Sequence, residues 1–203
     1  MVKIKMNDRI KKIKSTIVDS ISVKQAILEN DNLLTQISSV IDCIVAAMKR
    51  GNRVFFAGNG GSAADAQHLA AEFVSRFEFD RPGLPSLSLS TDTSMLTAIG
   101  NDYGYERLFL RQLQAQARPG DVFVGITTSG KSPNVLRAFE ACKSLQISSI
   151  ALCGLGGDLE DKADYALRVP SRHTPRIQEC HILIGHIICA EVELQMFGHL
   201  APR

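Results

Sequence analysis

The chain has 203 residues, 45% of them apolar and 22% charged, with a net charge of +2. That length closes one substantial core, and the even charge balance excludes a dedicated nucleic-acid or membrane surface. Five cysteines, an odd number with no CxxC pair, exclude a disulfide framework and point to a reducing cytoplasm.

The basic N-terminus lacks the apolar stretch of a signal peptide, and no apolar run approaches membrane-spanning length. Residues 7–30 set Ile10, Ile13, Ile17, Ile21 and Ile27 near one helical face. Residues 33–49 repeat the pattern with Leu34, Ile37, Ile41, Ile44 and Met48, ENDN breaks the two helices, and Gly51 ends the second. The pattern then changes. RVFFAG reads as a buried strand, 62–77 as a helix, PSLSLS as a strand, and 93–100 and 106–117 as helices. DVFVGIT is a strand, 133–145 a helix, SSIALCG a strand, 158–164 a short helix and ALRVP the last strand. A long helix over 175–197 closes the chain. Strand–helix alternation predicts an α/β fold, a parallel sheet covered on both faces, with ligands beyond the carboxyl ends of the strands. The two leading helices and the long final one exceed the cover the sheet needs, and read as an oligomer surface; the plainer alternative is that they cap the sheet.

Two loops imitate nucleotide sites. GITTSGKS, residues 125–132, fits the P-loop pattern after a strand. A P-loop enzyme also needs an acid ending a second strand to hold magnesium. SSIALCG ends in Gly154, and Asp92 lies two polar residues past its strand. Pro133 starts the helix after Lys131 and Ser132, too late for a P-loop. GNGGSA, residues 58–63, fits the dinucleotide fingerprint, but Asp80, near the spacing of its partner acid, falls in a loop. Both loops join a strand end to a helix N-terminus, where free N–H groups and the positive helix end bind anions. Thr127, Thr128, Ser129 and Ser132 add hydroxyls suited to a phosphate, and Asn59, Gly60 and Gly61 suit a polyol chain. One pocket for a sugar phosphate follows.

His68 and Glu72 are four apart on the helix opening at Ser62, about 40° apart on its surface. Gln178 and His186 are eight apart on the last helix, about 80° around, and His181 points elsewhere. Imidazole, carboxylate and imidazole form a first-row metal set, or a general acid and base. The plainer readings are a solvated helix-face pair for His68 and Glu72 and a core histidine for His186.

The segments GNGGSAADAQHLAAEFVSRF, RPGLP, AIGNDYGYERLF, GDVFVGITTSGKSPNV and PRIQECHILIGHI, in this order, resemble the sugar-isomerase (SIS) domain family and, within it, the phosphoheptose isomerases. The similarity runs from about residue 30 to 197. It implies a flavodoxin-like three-layer sandwich, with residues 1–50 as oligomerisation helices and 51–203 as the sugar-phosphate core of a single domain. It also implies a cytoplasmic homotetramer with active sites between subunits. Sugar and phosphate contacts would be Asn59, Gly60, Gly61, Glu72, Asn101, Asp102, Thr127, Thr128, Ser129, Ser132 and Gln178. Glu72 and His186 match the family's catalytic pair, and His68, Glu72, Gln178 and His186 its zinc site, one ion per subunit. Arg76, one turn beyond Glu72, would help place phosphate or Glu72, and Asp65 would support the site. Where some relatives carry an acid ahead of Arg176, this chain has His173-Thr174-Pro175. The implied reaction converts sedoheptulose 7-phosphate to D-glycero-D-manno-heptose 7-phosphate, for activated heptose and surface polysaccharide. The rival from another class is a non-enzymatic SIS protein that binds the replication initiator DnaA, a branch that lacks the acid and the second histidine. A sugar-phosphate sensor would need a DNA-binding domain that the sequence lacks, while the loops alone leave other aldose–ketose isomerases open.

Overall fold

A computed structural model describes residues 6–157, 159 and 161–202. Two helices, α1 (Met6–Leu28) and α2 (Asp31–Lys49), precede the alternating core. It runs β1 (Val54–Gly58), α3 (Gly61–Val74), β2 (Ser86–Ser88), α4 (Thr93–Tyr103), α5 (Leu108–Gln116), β3 (Val122–Thr127), α6 (Pro133–Leu145), β4 (Ser148–Cys153), β5 (Tyr165–Arg168) and α7 (Thr174–Phe197). All five strands are parallel, in the order β2-β1-β3-β4-β5. This is the flavodoxin-like order, whose switch point lies between β1 and β3. Gly58 pairs with Ile126 at the carboxyl end of that pair, so the loops 59–61 and 127–132 leave the sheet side by side.

The three central strands, β1, β3 and β4, are buried on both faces, which explains their largely apolar runs, while the edge strands β2 and β5 are half-buried. Side chains alternate between two cores. Val54, Phe56, Val122, Val124 and Ile126 pack against α2, α3 and α7, while Phe55, Ala57 and Phe123 pack against α5 and α6. Helix α2 belongs to the first layer: Ile37, Ile41, Ile44 and Met48 are buried as the spacing predicts, with Leu33 rather than Leu34 completing the stripe. Asn30 caps it, accepting from the Leu33 amide at 3.0 Å. Of the α1 stripe only Ile27 is buried; Ile10, Ile13, Ile17 and Ile21 face outward. Polar ties dock α1 on α7: Arg176 donates to the Thr16 carbonyl at 2.7 Å, and Ser20 donates to Glu179 at 2.7 Å.

Several boundaries depart from the sequence expectations. Helix α3 stops at Val74, not 77, because Arg81 draws off the carbonyls of its last turn. Helix α4 runs on to Tyr103, so Asn101 and Asp102 are helical, and Asp92 is its cap, accepting from the Met95 amide at 2.9 Å. Of the short helix expected at 158–164, residues 158 and 160 lie outside the described residues, and 161–164 form a turn and a bend. The expectation that no segment reaches membrane-spanning length needs correcting for α7, which qualifies by length and composition. Its Ile177, Cys180, Ile184, Ile188 and Val192 are nevertheless core residues.

His181 on α7 is fully buried, and burial pushes its imidazole down to about 4. An interaction with the Cys153 backbone, outside strict hydrogen-bond geometry, opposes only part of that effect. The unfolded chain binds a proton here near pH 6.5 that the folded chain refuses. This contribution to stability is therefore complete above pH 6.5 and lost as pH falls toward 4, by about 3 kcal/mol. Urea unfolding at pH 7 and pH 5 is expected to show a shallower acid loss in His181→Leu than in the parent chain.

Candidate active site

The loop after β1 and the first turn of α3 present Asn59, Gly60 and Gly61 beside the loop after β3. Asn59 and Asn134 form a reciprocal amide pair, Asn59 Nδ2 to Asn134 Oδ1 at 2.9 Å and Asn134 Nδ2 to Asn59 Oδ1 at 2.8 Å. Tyr105 donates its hydroxyl to Asn59 Oδ1 at 2.9 Å. Asn134 is buried and also accepts from the Val135 amide. The side-chain carbonyl of Asn59 is thus committed to holding the two loops together. Sequence reasoning missed Asn134 and Tyr105, which lie 75 and 46 residues from Asn59.

In the second loop Thr127 is buried and shares a hydrogen bond with Ser132 at 3.0 Å. Ser129 accepts from the Lys131 amide, which shapes the turn. Gly130 has φ +65° and abuts the Gly156–Gly157 backbone so tightly that only glycine fits. Helix α6 opens at Pro133, and the Lys131 side chain is exposed. The late helix start and the Cys153-Gly154 end of β4 remove the P-loop reading, as expected. The turn is a cradle of hydroxyls and amides at a helix N-terminus, suited to an oxyanion.

Helices α3 and α7 run side by side in the same direction. Gly61 meets Gln178, His68 meets His186, Leu69 meets Gly185, and Phe77 meets Glu193. A β-carbon on Gly185 would lie 2.6 Å from the Leu69 side chain, so glycine permits the close approach. The neighbouring His186 then reaches His68, Nε2 to Nε2 at 2.8 Å. Glu72 Oε1 lies 3.3 Å from the same His68 nitrogen, and Phe77 packs on the His186 ring. His68 and Glu72 are therefore more than a solvated pair, and His186 is not a satisfied core histidine. Gln178 lies against Gly61, one end of the α3–α7 seam.

Two nitrogens and a carboxylate oxygen converge, with an amide further along the seam, and this donor chemistry suits zinc. The atoms are drawn together rather than spread about an ion. Tetrahedral bonds of 2.0–2.1 Å would hold the two nitrogens about 3.3 Å apart. Among the described residues no group of three His, Cys, Asp or Glu has the spacing of a preformed cage. As it stands, one imidazole donates and the other accepts.

The remaining expected residues lie around this cluster. Asp65, one turn before His68, has a buried, unpartnered Oδ2; burial pushes its carboxyl up while His68 pulls it down. Arg76 is exposed and lies beyond the end of α3, not on the helix as expected. Asn101 donates to Asp102 at 2.8 Å on an exposed turn of α4, and Tyr105 rather than either of them reaches the β1 loop. His173 precedes α7 without a side-chain cap. A cleft of about 530 Å³ lined by Asn30, Gln36, Asp164, Tyr165 and Arg168 shares no residue with the cluster.

Residues 18–154 match the SIS domain family. Phosphoheptose isomerase 2 of Campylobacter jejuni is 60% identical over 187 residues, 92% of this chain and 93% of that protein. The phosphoheptose isomerase of Aneurinibacillus thermoaerophilus is 58% identical over 193 residues, 95% of this chain and 96% of that protein. A solved phosphoheptose isomerase from Francisella tularensis superposes with TM-score 0.86 at 36% identity, covering 91% of this chain and 97% of that one. Another, from Neisseria gonorrhoeae, does so with TM-score 0.84 at 38% identity, covering 90% and 97%. The chain belongs to the SIS-domain family, among its phosphoheptose isomerases.

Proposed function

We infer that this chain isomerises sedoheptulose 7-phosphate to D-glycero-D-manno-heptose 7-phosphate through an enediol. The reading rests on one observation above all: His68 and Glu72, on the helix that leaves the β1 loop, meet His186 of α7, and the hydroxyl turn 127–132 leaves the sheet beside that same loop. Moving a ketose carbonyl from C2 to C1 requires a base that carries a proton between those carbons. It also requires a partner that exchanges protons at the two oxygens. Glu72 is the base. His186 serves the oxygens, and His68, within reach of both side chains, sets which nitrogen of His186 carries its proton. The turn 127–132 holds the phosphate, and the Asn59–Asn134 pair fixes the sugar loop to it.

His68, Glu72, Gln178 and His186 would hold one zinc ion, and zinc bound there supplies Lewis-acid polarisation of the sugar carbonyl. The exposed isoleucines of α1, with Ile187 and Leu194 on α7, are the surfaces we assign to a homotetramer whose sites lie at subunit contacts. A cytoplasmic setting and supply of heptose for surface polysaccharide complete the reading. Purified protein incubated with sedoheptulose 7-phosphate is expected to yield the aldose, followed by carbon NMR. Stripping metal, verified by elemental analysis, is expected to slow it at least about 10-fold, with recovery on adding zinc. An unchanged rate after complete stripping would remove zinc from the proposal, and no product at all would remove the isomerase.

A further inference from the structure

The only fully buried ion pair among the described residues lies away from the reacting groups but between the helices that carry them. Arg81 Nε donates to Glu193 Oε1 at 2.9 Å, with side-chain exposures of 1% and 0%. Replacing such a pair with apolar side chains is often neutral or favourable, so its presence calls for another account. Its hydrogen bonds supply one. Arg81 Nη2 donates to the Glu72 carbonyl at 2.9 Å, and Nη1 donates to the carbonyls of Phe73 at 2.7 Å, Ser75 at 3.1 Å and Pro82 at 3.1 Å. Glu193 accepts from the amides of Phe77 at 2.8 Å, Glu78 at 2.7 Å and Phe79 at 3.4 Å. The pair thus closes the end of α3, giving the Glu72 carbonyl a donor and sharing that of Phe73 with the Leu84 amide, and pins the irregular segment after it. Burial alone would raise the Glu193 carboxyl, but these amides and Arg81 hold it below the usual range, so it stays ionised.

Glu193 stands on α7, seven residues beyond His186. That is two turns, so both lie on one face about 10 Å apart along the helix. Glu72 is tied through its own carbonyl to Arg81. One continuous path therefore runs from Glu72 through Arg81 and Glu193 to the helix bearing His186.

We propose that Arg81 and Glu193 are positioning residues that set the spacing and rotation of Glu72 against His186 across the α3–α7 seam. The proposal rests on Glu72 and His186 being the reacting pair. It is a role in turnover rather than in substrate capture, because the pair touches neither the β1 loop nor the turn 127–132. A displacement of about 1 Å at reacting groups lowers rates about 100-fold.

The test uses Arg81→Lys, which keeps the charge but loses the planar fork, and Glu193→Gln, which keeps the shape but loses the charge. Both are assayed as full-length protein with sedoheptulose 7-phosphate, after melting and sedimentation establish the folded fraction. The expected result is a kcat lowered about 10- to 100-fold per folded molecule, with KM within about 2-fold. Unchanged kcat in both, a matching rise in KM, or activity lost only in step with the folded fraction overturns the proposal. Variants that unfold outright assign the pair to folding and count against it equally. Glu72→Gln and His186→Ala run alongside. If these keep full activity, the reading of the reacting pair has failed. If they are inactive while both clamp variants turn over normally, only the positioning role has failed.

Discussion

Glu72→Gln is expected to lower kcat on the order of 10³-fold with KM within a few-fold of the parent, measured by NMR of the sugar at saturating substrate. The substitution keeps the size and one acceptor oxygen, so the contact with His68 at 3.3 Å survives in shape. What it removes is the ability to take a proton from carbon. General-base transfer contributes about 10²- to 10⁴-fold, and among the described residues no second carboxylate shares the position: Asp65 has its Oδ2 buried and is held toward its neutral form by burial. A kcat within 10-fold of the parent would show that another group moves the carbon proton.

The second large effect concerns the substrate. Sedoheptulose without its phosphate is expected to react with kcat/KM at least about 10³-fold below that of the 7-phosphate. The turn 127–132 offers hydroxyls of Thr127, Thr128, Ser129 and Ser132 at the N-terminus of α6. Each hydrogen bond to a charged oxygen is worth about 1.5–3 kcal/mol, so three of them amount to about 10³- to 10⁶-fold. That binding energy is remote from the reacting carbons, so it is drawn upon to orient them and its loss depresses kcat as well as raising KM. Lys131 is exposed on the turn, so Lys131→Ala is expected to act only modestly. A dephosphorylated sugar turned over equally well would assign the turn another role.

The layout of the sheet was legible because buried parallel strands write unbroken apolar runs, as VFFAG and VFVGIT do, and their parallel direction follows from the strand–helix alternation. Both loops of the site were legible for a similar reason: glycine and hydroxyl residues between a strand and a helix have few other uses. The partnership of His68 with His186 was only half legible. Spacing placed each on a helix face, but their meeting depends on α3 and α7 running in step, and on Gly185 letting them close, which is tertiary information. Asn134 and Tyr105 were invisible for the same reason, since an amide pair between distant loops leaves no periodic trace. The early end of α3 was misread because nothing local stops a helix at Val74. Arg81 and Glu193 do so from outside it. The α1 isoleucines mark the limit of periodicity. It located an apolar stripe, yet four of its five members stay exposed, with only Ile27 buried.

Turnover of sedoheptulose 7-phosphate in D2O, with the product's carbon-bound hydrogens read by NMR, tests the carboxylate-shuttle mechanism most directly. Glu72 is partly exposed, so a proton it carries exchanges with solvent, and deuterium is expected at C2 of the aldose. Product formed at full rate with C2 carrying only the substrate's own hydrogen would mean a transfer closed to solvent, as in a direct hydride shift, and would contradict a solvent-exchanging carboxylate shuttle.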